Sequence, residues 1–167
     1  MKTIIFFRHG KSNWNVDYEQ DFERPLKKRG EKAARMMGKF LSRIDVVPDL
    51  VLTSPAVRAR TTTFLAAEAG SWQAPVQESK ALYAGGPDHL LAVIHATDVQ
   101  VNTLLLVGHE PTWSETVGAL IGQAQLRFPT AAMACVEVDV DSWQDVAFGM
   151  GTLIWFVPPK LLKTVLE

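Results

Sequence analysis

The sequence predicts an α/β fold with three layers, α/β/α, built on a mostly parallel sheet with an antiparallel edge strand. Two apolar runs, residues 3–7 and 103–107, are continuous enough to be strands buried on both faces. Strand and helix patterns alternate up to residue 121, as in doubly wound sheets. Beyond that point, residues 134–139 and 153–157 are typical of strands that pair in antiparallel fashion at a sheet edge.

The first strand ends in Arg8, His9 and Gly10, and residues 13–24 follow without usable periodicity. We expect that segment to be a loop over the strand end. A helix comes next, because apolar residues recur at spacings of three and four, as one buried helix face requires. They are Ala33, Ala34, Met37, Phe40, Leu41 and Ile44, and Pro48 ends the helix.

A second short strand, residues 50–52, leads into a helix that carries Arg58. Ser54 is a favourable N-cap and Pro55 a favourable first helical residue. We therefore expect the helix to begin there, with Arg58 in its first turn. A weak third strand is expected around residues 74–77.

The middle of the chain repeats this arrangement. Pro87 and Asp88 open a helix, and the strand at residues 103–107 ends in Gly108 and His109. A buried strand thus delivers a glycine and a histidine at its end for the second time. The next helix begins at Pro111, and its inward residues are Trp113, Val117, Leu120 and Ile121.

Composition limits the class of protein. A chain of 167 residues with 47% hydrophobic and 21% charged residues is typical of a soluble globular protein, and we expect one domain over residues 1–167. The formal net charge of -1 argues against nucleic acid as a partner. A lone cysteine, Cys135, cannot form a disulfide within the chain and fits a reducing compartment. With no leader pattern and no apolar stretch of membrane-spanning length, we expect a cytoplasmic protein that does not contact membranes.

The ends of three predicted strands carry groups that suit a phosphoryl anion. Arg8 and His9 follow the first strand, Arg58 follows the second, and His109 follows the strand that ends at residue 107. The carboxyl ends of parallel strands meet at one edge of a sheet, so these groups should converge. Two arginines and two histidines would repel one another unless a dianion lay among them, and a phosphoryl group is the natural occupant.

Three short motifs resemble the signatures of the histidine phosphatase superfamily, which includes phosphoglycerate mutases and acid phosphatases. They are Arg8-His9-Gly10, then Ser54-Pro55 with Arg58-Ala59 and Thr61, and Gly108-His109-Glu110-Pro111. The short chain and the stretch Asp21-Phe22-Glu23-Arg24-Pro25-Leu26 are similar to the SixA-type phosphohistidine phosphatases. The resemblance implies a phosphoglycerate mutase-like fold.

The same resemblance implies roles for individual residues. His9 would be the phosphorylated nucleophile, and Arg8, Arg58 and His109 would hold the phosphoryl oxygens. Ser12 and Asn15 stand where mutase-like members carry Ser and Asn near the phosphate. The two guanidinium groups and His109 would stabilise the equatorial oxygens without a metal ion, so we expect neither a metal nor another cofactor.

The sequence departs from the family at the general acid. Mutases and many acid phosphatases carry a carboxylic acid that protonates the leaving group, but residues 81–86 contain none. Asp88 and Glu78 are the nearest candidates, and each is also explained as a solvated loop residue or, for Asp88, a helix cap. Trp14 and Trp113 flank the expected pocket and could line it.

Three functions fit these observations. The favoured one is a metal-independent phosphatase that acts on phosphohistidine in a protein partner through a covalent phosphohistidine intermediate. The alternatives are a phosphatase of small-molecule phosphate monoesters and a catalytically inactive module that binds phosphate or a phosphoprotein. Phosphoglycerate mutase activity is disfavoured, because the chain lacks the length for segments that enclose sugar phosphates.

Overall fold

A six-stranded sheet forms the centre of the computed structural model, which describes residues 1–166. The strands are β1 (Lys2–Arg8), β2 (Leu50–Thr53), β3 (Val76–Glu78), β4 (Thr103–Gly108), β5 (Met133–Val138) and β6 (Gly151–Val157). The helices are α1 (Lys28–Arg43), α2 (Val57–Gly70), α3 (Ala81–Ala84), α4 (Pro87–His95), α5 (Thr112–Leu120) and α6 (Pro159–Leu166). Two short 3₁₀ helices cover Asp21–Glu23 and Trp143–Asp145.

The strand order is β3-β2-β4-β1-β5-β6. The first four strands pair in parallel, whereas β5 runs antiparallel to β1 and β6 runs antiparallel to β5. The predicted mostly parallel sheet with antiparallel pairing at one edge is confirmed. Because the strand direction reverses from β1 to β5 and again from β5 to β6, β6 runs parallel to β1. The two strands therefore end at the same edge of the sheet.

Helices cover both faces of the sheet. Successive side chains of β1 point to opposite faces. Ile4 belongs to a buried cluster that includes Leu90 of α4 and Val117 of α5. Its neighbour Ile5 belongs to a second buried cluster, which includes Met37 of α1. The three predicted layers are therefore present, and no helix of residues 1–166 combines the length and apolarity needed to cross a membrane.

The start of α2 differs from the prediction. Ser54 and Pro55 lie before the helix, and Ala56 is the N-cap. The hydroxyl of Ser54 accepts a hydrogen bond from the Ala56 N–H at 3.2 Å and contacts His109 Nε2 at 2.8 Å. The Ser54 hydroxyl thus bonds to the Ala56 N–H and to His109 instead of capping a helix that starts at Pro55. The helix begins two residues after the predicted start, with Arg58 still in its first turn.

The end of α1 also differs from the predicted pattern. Ile44 is the C-cap and is 39% exposed, so the buried stripe ends at Leu41. The other members of the stripe follow the expected helical spacing, with Ala34 and Met37 fully buried.

Candidate active site

Parallel strands bring the two predicted histidines together. Arg8 of β1 lies opposite Gly108 of β4, and the N–H of His9 donates to the Gly108 carbonyl at 3.0 Å. The residue that follows each strand is a histidine, and the ring centroids of His9 and His109 lie 5.1 Å apart. The predicted convergence of these two strand ends is present in the structure.

The His9 ring is held in one tautomer. It is buried, and its Nδ1 lies 2.7 Å from the Gly10 carbonyl oxygen. A carbonyl oxygen only accepts, so Nδ1 carries the proton and the lone pair of Nε2 is free. Burial lowers the pKa of His9 to about 3; the Gly10 contact opposes this shift, and the charges of His109, Arg58 and Arg8 add to it. His9 is therefore a neutral imidazole at neutral pH.

Glycine at position 10 lets this loop lie against α1. A Cβ added to Gly10 would come 2.7 Å from the carbonyl oxygen of Gly30, which is closer than real Cβ contacts allow. Only the absence of a side chain permits this approach of the two backbones.

Arg58 is tied to the His9 loop through one threonine. The Gly10 N–H donates to Thr62 Oγ1 at 2.9 Å, and the Thr62 hydroxyl donates to the Arg58 carbonyl at 2.7 Å. All three groups are buried. The hydroxyl thereby couples the loop after β1 to the first turn of α2.

Three buried nitrogens at the site have no hydrogen-bond partner among residues 1–166: Arg8 Nε, Arg58 Nε and His109 Nδ1. Buried polar groups are normally paired, so two unpaired guanidinium N–H groups and an unpaired imidazole nitrogen at neighbouring strand ends indicate a place for a polar ligand. Arg8 Nη1 donates to the Phe128 carbonyl at 2.8 Å, which fixes the direction of its guanidinium group.

His109 is also neutral. Burial lowers its pKa to about 3, and the neighbouring Arg58 guanidinium adds to the shift. Its Nε2 contacts the Ser54 hydroxyl, and its ring lies edge-on to Tyr83 with 5.5 Å between centroids. An anion placed among these groups would favour a proton on His109, because opposite charge stabilises imidazolium.

Asp21 belongs to the site, although no role for it was predicted from the sequence. Its carboxylate lies 2.9 Å from Arg58 Nη2 and 3.0 Å from Arg24 Nη2. The Asp21 carbonyl also accepts from Arg58 Nη1 at 2.8 Å, and the Tyr83 hydroxyl is 3.4 Å from Oδ2. Partial burial alone would raise the pKa of Asp21, but the two arginines outweigh it and the pKa is lowered. The signals in the sequence were an acid and a base three residues apart, Asp21 and Arg24, and the likeness of residues 21–26 to SixA-type phosphatases.

Arg24 is a second residue beside the site whose role was not predicted from the sequence. It is buried, donates to the Ser12 hydroxyl, and has its guanidinium carbon 3.5 Å above the ring of Trp14. Ser12 is therefore buried beside the site as a partner of Arg24. Trp14 is 59% exposed and covers the outer face of that guanidinium.

Other candidates lie elsewhere. The Asn15 side chain is exposed and makes no hydrogen bond within residues 1–166. Asp88 is exposed in the first turn of α4, whose N-cap is Gly86. Glu78 pairs with Arg60 at 2.9 Å. None of the three contacts His9 or His109.

The expectation that Trp113 lines the pocket was wrong. Trp113 is fully buried in the core, and its Nε1 donates to the Leu106 carbonyl at 3.2 Å. The helix start at Thr112 turns this side chain beneath Gly108 rather than toward solvent.

A cavity lies at one side of the candidate site. A cavity of about 640 Å³ adjoins Arg8 and is bordered by Glu110 and by residues 125–129. The Glu110 carboxylate accepts from the Ser114 N–H at 2.7 Å and so caps α5. Among residues 1–166, no group of three or more His, Cys, Asp or Glu side chains is arranged to hold a metal ion.

Comparison with known proteins identifies the family of the chain. The family model "Histidine phosphatase superfamily (branch 1)" matches residues 4–83. The uncharacterised protein Rv1276c of Mycobacterium tuberculosis is 34% identical over 163 residues, covering 92% of this chain and 99% of that protein. The structure of protein histidine phosphatase SixA complexed with tungstate is 27% identical with a TM-score of 0.83, covering 96% of this chain and 99% of the other. A SixA structure from Agrobacterium tumefaciens is 27% identical with a TM-score of 0.81, covering 95% and 98%. The chain therefore belongs to the histidine phosphatase superfamily and, within it, to the SixA-type branch.

Proposed function

We propose that this protein is a phosphohistidine phosphatase that acts on a protein partner through a phosphorylated His9. Membership of the family and the SixA neighbours support phosphatase activity in general. The observation that carries the specific proposal is His9 itself: Nδ1 is bonded to the Gly10 carbonyl, Nε2 is free, and the ring is neutral. Its neighbours include three buried nitrogens that have no hydrogen-bond partner among residues 1–166. The SixA relative was solved with tungstate, a tetrahedral oxyanion that resembles phosphate.

The reaction proceeds in two displacements. His9 Nε2 attacks phosphorus in line, the Nε2–P bond forms, and the bond from phosphorus to the substrate nitrogen breaks. The leaving imidazole takes the bonding pair and departs as a neutral ring once its other nitrogen has taken up a proton from solvent, which is accessible near the imidazole pKa of about 6.5. Water then attacks phosphorus, the P–Nε2 bond breaks, and His9 returns to its neutral state as inorganic phosphate and a proton are released.

Arg8, Arg58 and His109 serve both steps. Their unpaired nitrogens, Arg8 Nε, Arg58 Nε and His109 Nδ1, would donate to the equatorial oxygens. Such donors, fixed before the reaction by surrounding hydrogen bonds, stabilise charge in the transition state without reorganisation. Ser12 contributes indirectly through Arg24.

Phosphohistidine is favoured as the substrate because, among residues 1–166, no carboxyl group is hydrogen-bonded to His9 or His109 in a position to protonate a leaving group. Asp21 is held ionised by two arginines, Glu110 caps α5, and Glu78 is paired with Arg60. Asp88 is exposed to solvent. An alkoxide needs a proton as it leaves, and a positioned acid typically supplies about 10²- to 10⁴-fold in rate. An imidazole, with a conjugate-acid pKa of about 6.5, leaves without that help.

A second candidate is a phosphatase of small phosphate monoesters. The cavity of about 640 Å³ beside Arg8 favours it, since small-molecule sites typically enclose about 300–1,000 Å³. A module that only binds phosphate is disfavoured, because the nucleophile keeps its tautomer and its free lone pair.

Three substrates at one pH test the proposal. We expect kcat/KM to be highest for a chemically phosphorylated histidine peptide, intermediate for p-nitrophenyl phosphate, and at least about 10²-fold lower for an alkyl monoester. His9→Ala is the control for background hydrolysis. If the alkyl ester is cleaved as well as phosphohistidine, a carboxylate such as Asp88 or Glu78 acts as the acid, and the small-molecule phosphatase becomes the better assignment.

A further inference from the structure

Five basic side chains surround a second cavity, of about 530 Å³, which we call the basic groove. They are Lys11, Arg29, Lys32, Lys160 and Lys163. Among residues 1–166, no acidic residue lines the groove and none of the five makes an ion pair. The apolar part of its wall includes Ala33, Met36 and Pro159.

The basic groove lies at the same edge of the sheet as the candidate active site. Lys11 is two residues beyond His9, and Arg29 lies in the first turn of α1 beside Gly30, which contacts Gly10. Lys160 is the second residue of α6, which begins two residues after the end of β6, and β6 ends at the same edge as β1. A macromolecule that places a phosphoryl group on His9 therefore has the groove within reach.

The charge of the groove requires an explanation. The chain has 17 Lys and Arg residues and a net charge of -1, yet five cations gather at one cavity whose lining, in the part of the chain that the structure describes, includes no carboxylate. Like charges held together repel one another and create a local positive potential. An anionic partner removes this repulsion, and it is attracted from a distance at low ionic strength.

The form of the groove favours a peptide segment over a small ligand. Arg29, Lys32, Lys160 and Lys163 are exposed and Lys11 is half-buried, so none of these cations is held in a rigid position. Long, flexible ammonium groups adapt to carboxylates spread along a chain, whereas a small polyanion is usually recognised by buried, fixed donors. The apolar wall would contact the aliphatic parts of such a segment.

We infer that the basic groove binds an acidic segment of the phosphoprotein whose phosphohistidine enters the site. This inference rests on the proposed function and adds the chemistry of the partner to it. The groove would lower KM for the protein substrate and leave the chemical step unchanged.

Two phosphohistidine peptides of equal length test the inference. One carries a run of glutamates beside the phosphohistidine, and the other carries glutamines at the same positions. We expect the wild-type protein to cleave the acidic peptide with a kcat/KM roughly tenfold higher than that for the glutamine peptide, because a few exposed ion pairs form with the groove. The whole difference should lie in KM, with kcat unchanged. About 0.5 M salt should remove the advantage, because it shortens the screening length to a few ångströms.

A charge-reversal variant, K32E/K160E/K163E, locates the effect. It should lose the preference for the acidic peptide and hydrolyse p-nitrophenyl phosphate at the wild-type rate. The matched control is R35E/K39E/R43E, which changes the net charge by the same amount at exposed positions of α1 outside the groove. The control should retain the preference.

Binding to an inactive protein separates this inference from the proposed function. The His9→Ala protein and the same protein that also carries K32E/K160E/K163E are compared by fluorescence anisotropy of the labelled acidic peptide without its phosphoryl group. The protein with the three charge reversals should bind this peptide more weakly. That result supports the groove even if phosphohistidine proves not to be the substrate. Equal binding of the glutamate and glutamine peptides, or equal weakening by R35E/K39E/R43E, would overturn the inference. The inference would also be overturned if inorganic tripolyphosphate inhibited the wild-type protein while the glutamate and glutamine peptides were cleaved equally well. That result would assign the groove to a small polyanion.

Discussion

Acidification should destabilise the folded protein through His9 and His109, and the size of the effect follows from their pKa values. Burial lowers both pKa values from 6.5 to about 3 in the folded state. Between these two values the unfolded chain binds a proton on each imidazole that the folded chain does not bind. The free energy of unfolding therefore falls as the pH drops from about 6.5 toward 3.

The loss of stability accumulates as the pH falls through the range between the two pKa values. At pH 5 the unfolded imidazole is almost fully protonated and the folded one is not, which costs about 2 kcal/mol for each histidine relative to pH 8. The two residues together account for about 4 kcal/mol, a large part of the 5–15 kcal/mol of a typical domain. Asp21 contributes in a separate range: its pKa is lowered, so its stabilisation is present above the unfolded value near 4 and is lost only below it.

Urea unfolding at pH 8 and pH 5 measures the effect. His9→Gln and His109→Gln each remove one titrating imidazole, and each variant should lose about 2 kcal/mol less than wild type between the two pH values. His89→Gln is the control, since the His89 side chain is exposed on α4 and the wild-type pH dependence should persist. Identical losses in all four proteins would show that the site imidazoles take up protons freely in the folded state. The conclusion that His9 is a neutral imidazole at neutral pH would then be wrong.

Three further predictions concern the site. His9→Ala should abolish turnover but keep vanadate binding, measured by thermal shift, because the donors of Arg8, Arg58 and His109 remain; undiminished turnover would exclude His9 as nucleophile. Dialysis against EDTA should leave kcat/KM unchanged, since guanidinium groups supply the positive charge, and loss of activity restored by magnesium or zinc would contradict this mechanism. Asp21→Asn should tighten vanadate binding by about 3- to 10-fold, measured by inhibition, because it removes a negative charge beside the anion space. Weaker binding would mean instead that the carboxylate is needed to orient Arg58.

The parts of the site that follow strands could be predicted because they are local in the sequence. An apolar run followed by Arg8 and His9, and another followed by His109, identifies both a strand and what stands at its end. Parallel pairing then brings the ends together, since adjacent strands hold their carboxyl ends at one edge. Arg58 was found in the same way, although Ser54 proved to be a partner of His109 rather than the helix cap.

The loop contribution could not be predicted, because nothing local determines the path of residues 13–24. Asp21 reaches Arg58 across 37 positions in the sequence, and Tyr83 reaches Asp21 across 62. Such contacts depend on how the loop returns to α1, where Ser12 bridges to Leu26. Periodicity and capping rules describe neighbours along the chain and carry no information about this return.

The antiparallel direction of β5 offers a practical route to measuring partner binding. β5 ends at Val138, opposite Lys2 at the start of β1, so the turn at residues 139–150 lies at the edge of the sheet away from His9. Gln144 is exposed in that turn. The single natural thiol, Cys135, is buried, and burial together with Glu137 raises its pKa to about 11, which makes it unreactive toward maleimides at neutral pH. Gln144→Cys would therefore accept one fluorophore, or anchor the protein to a sensor surface, with the catalytic edge facing free solution.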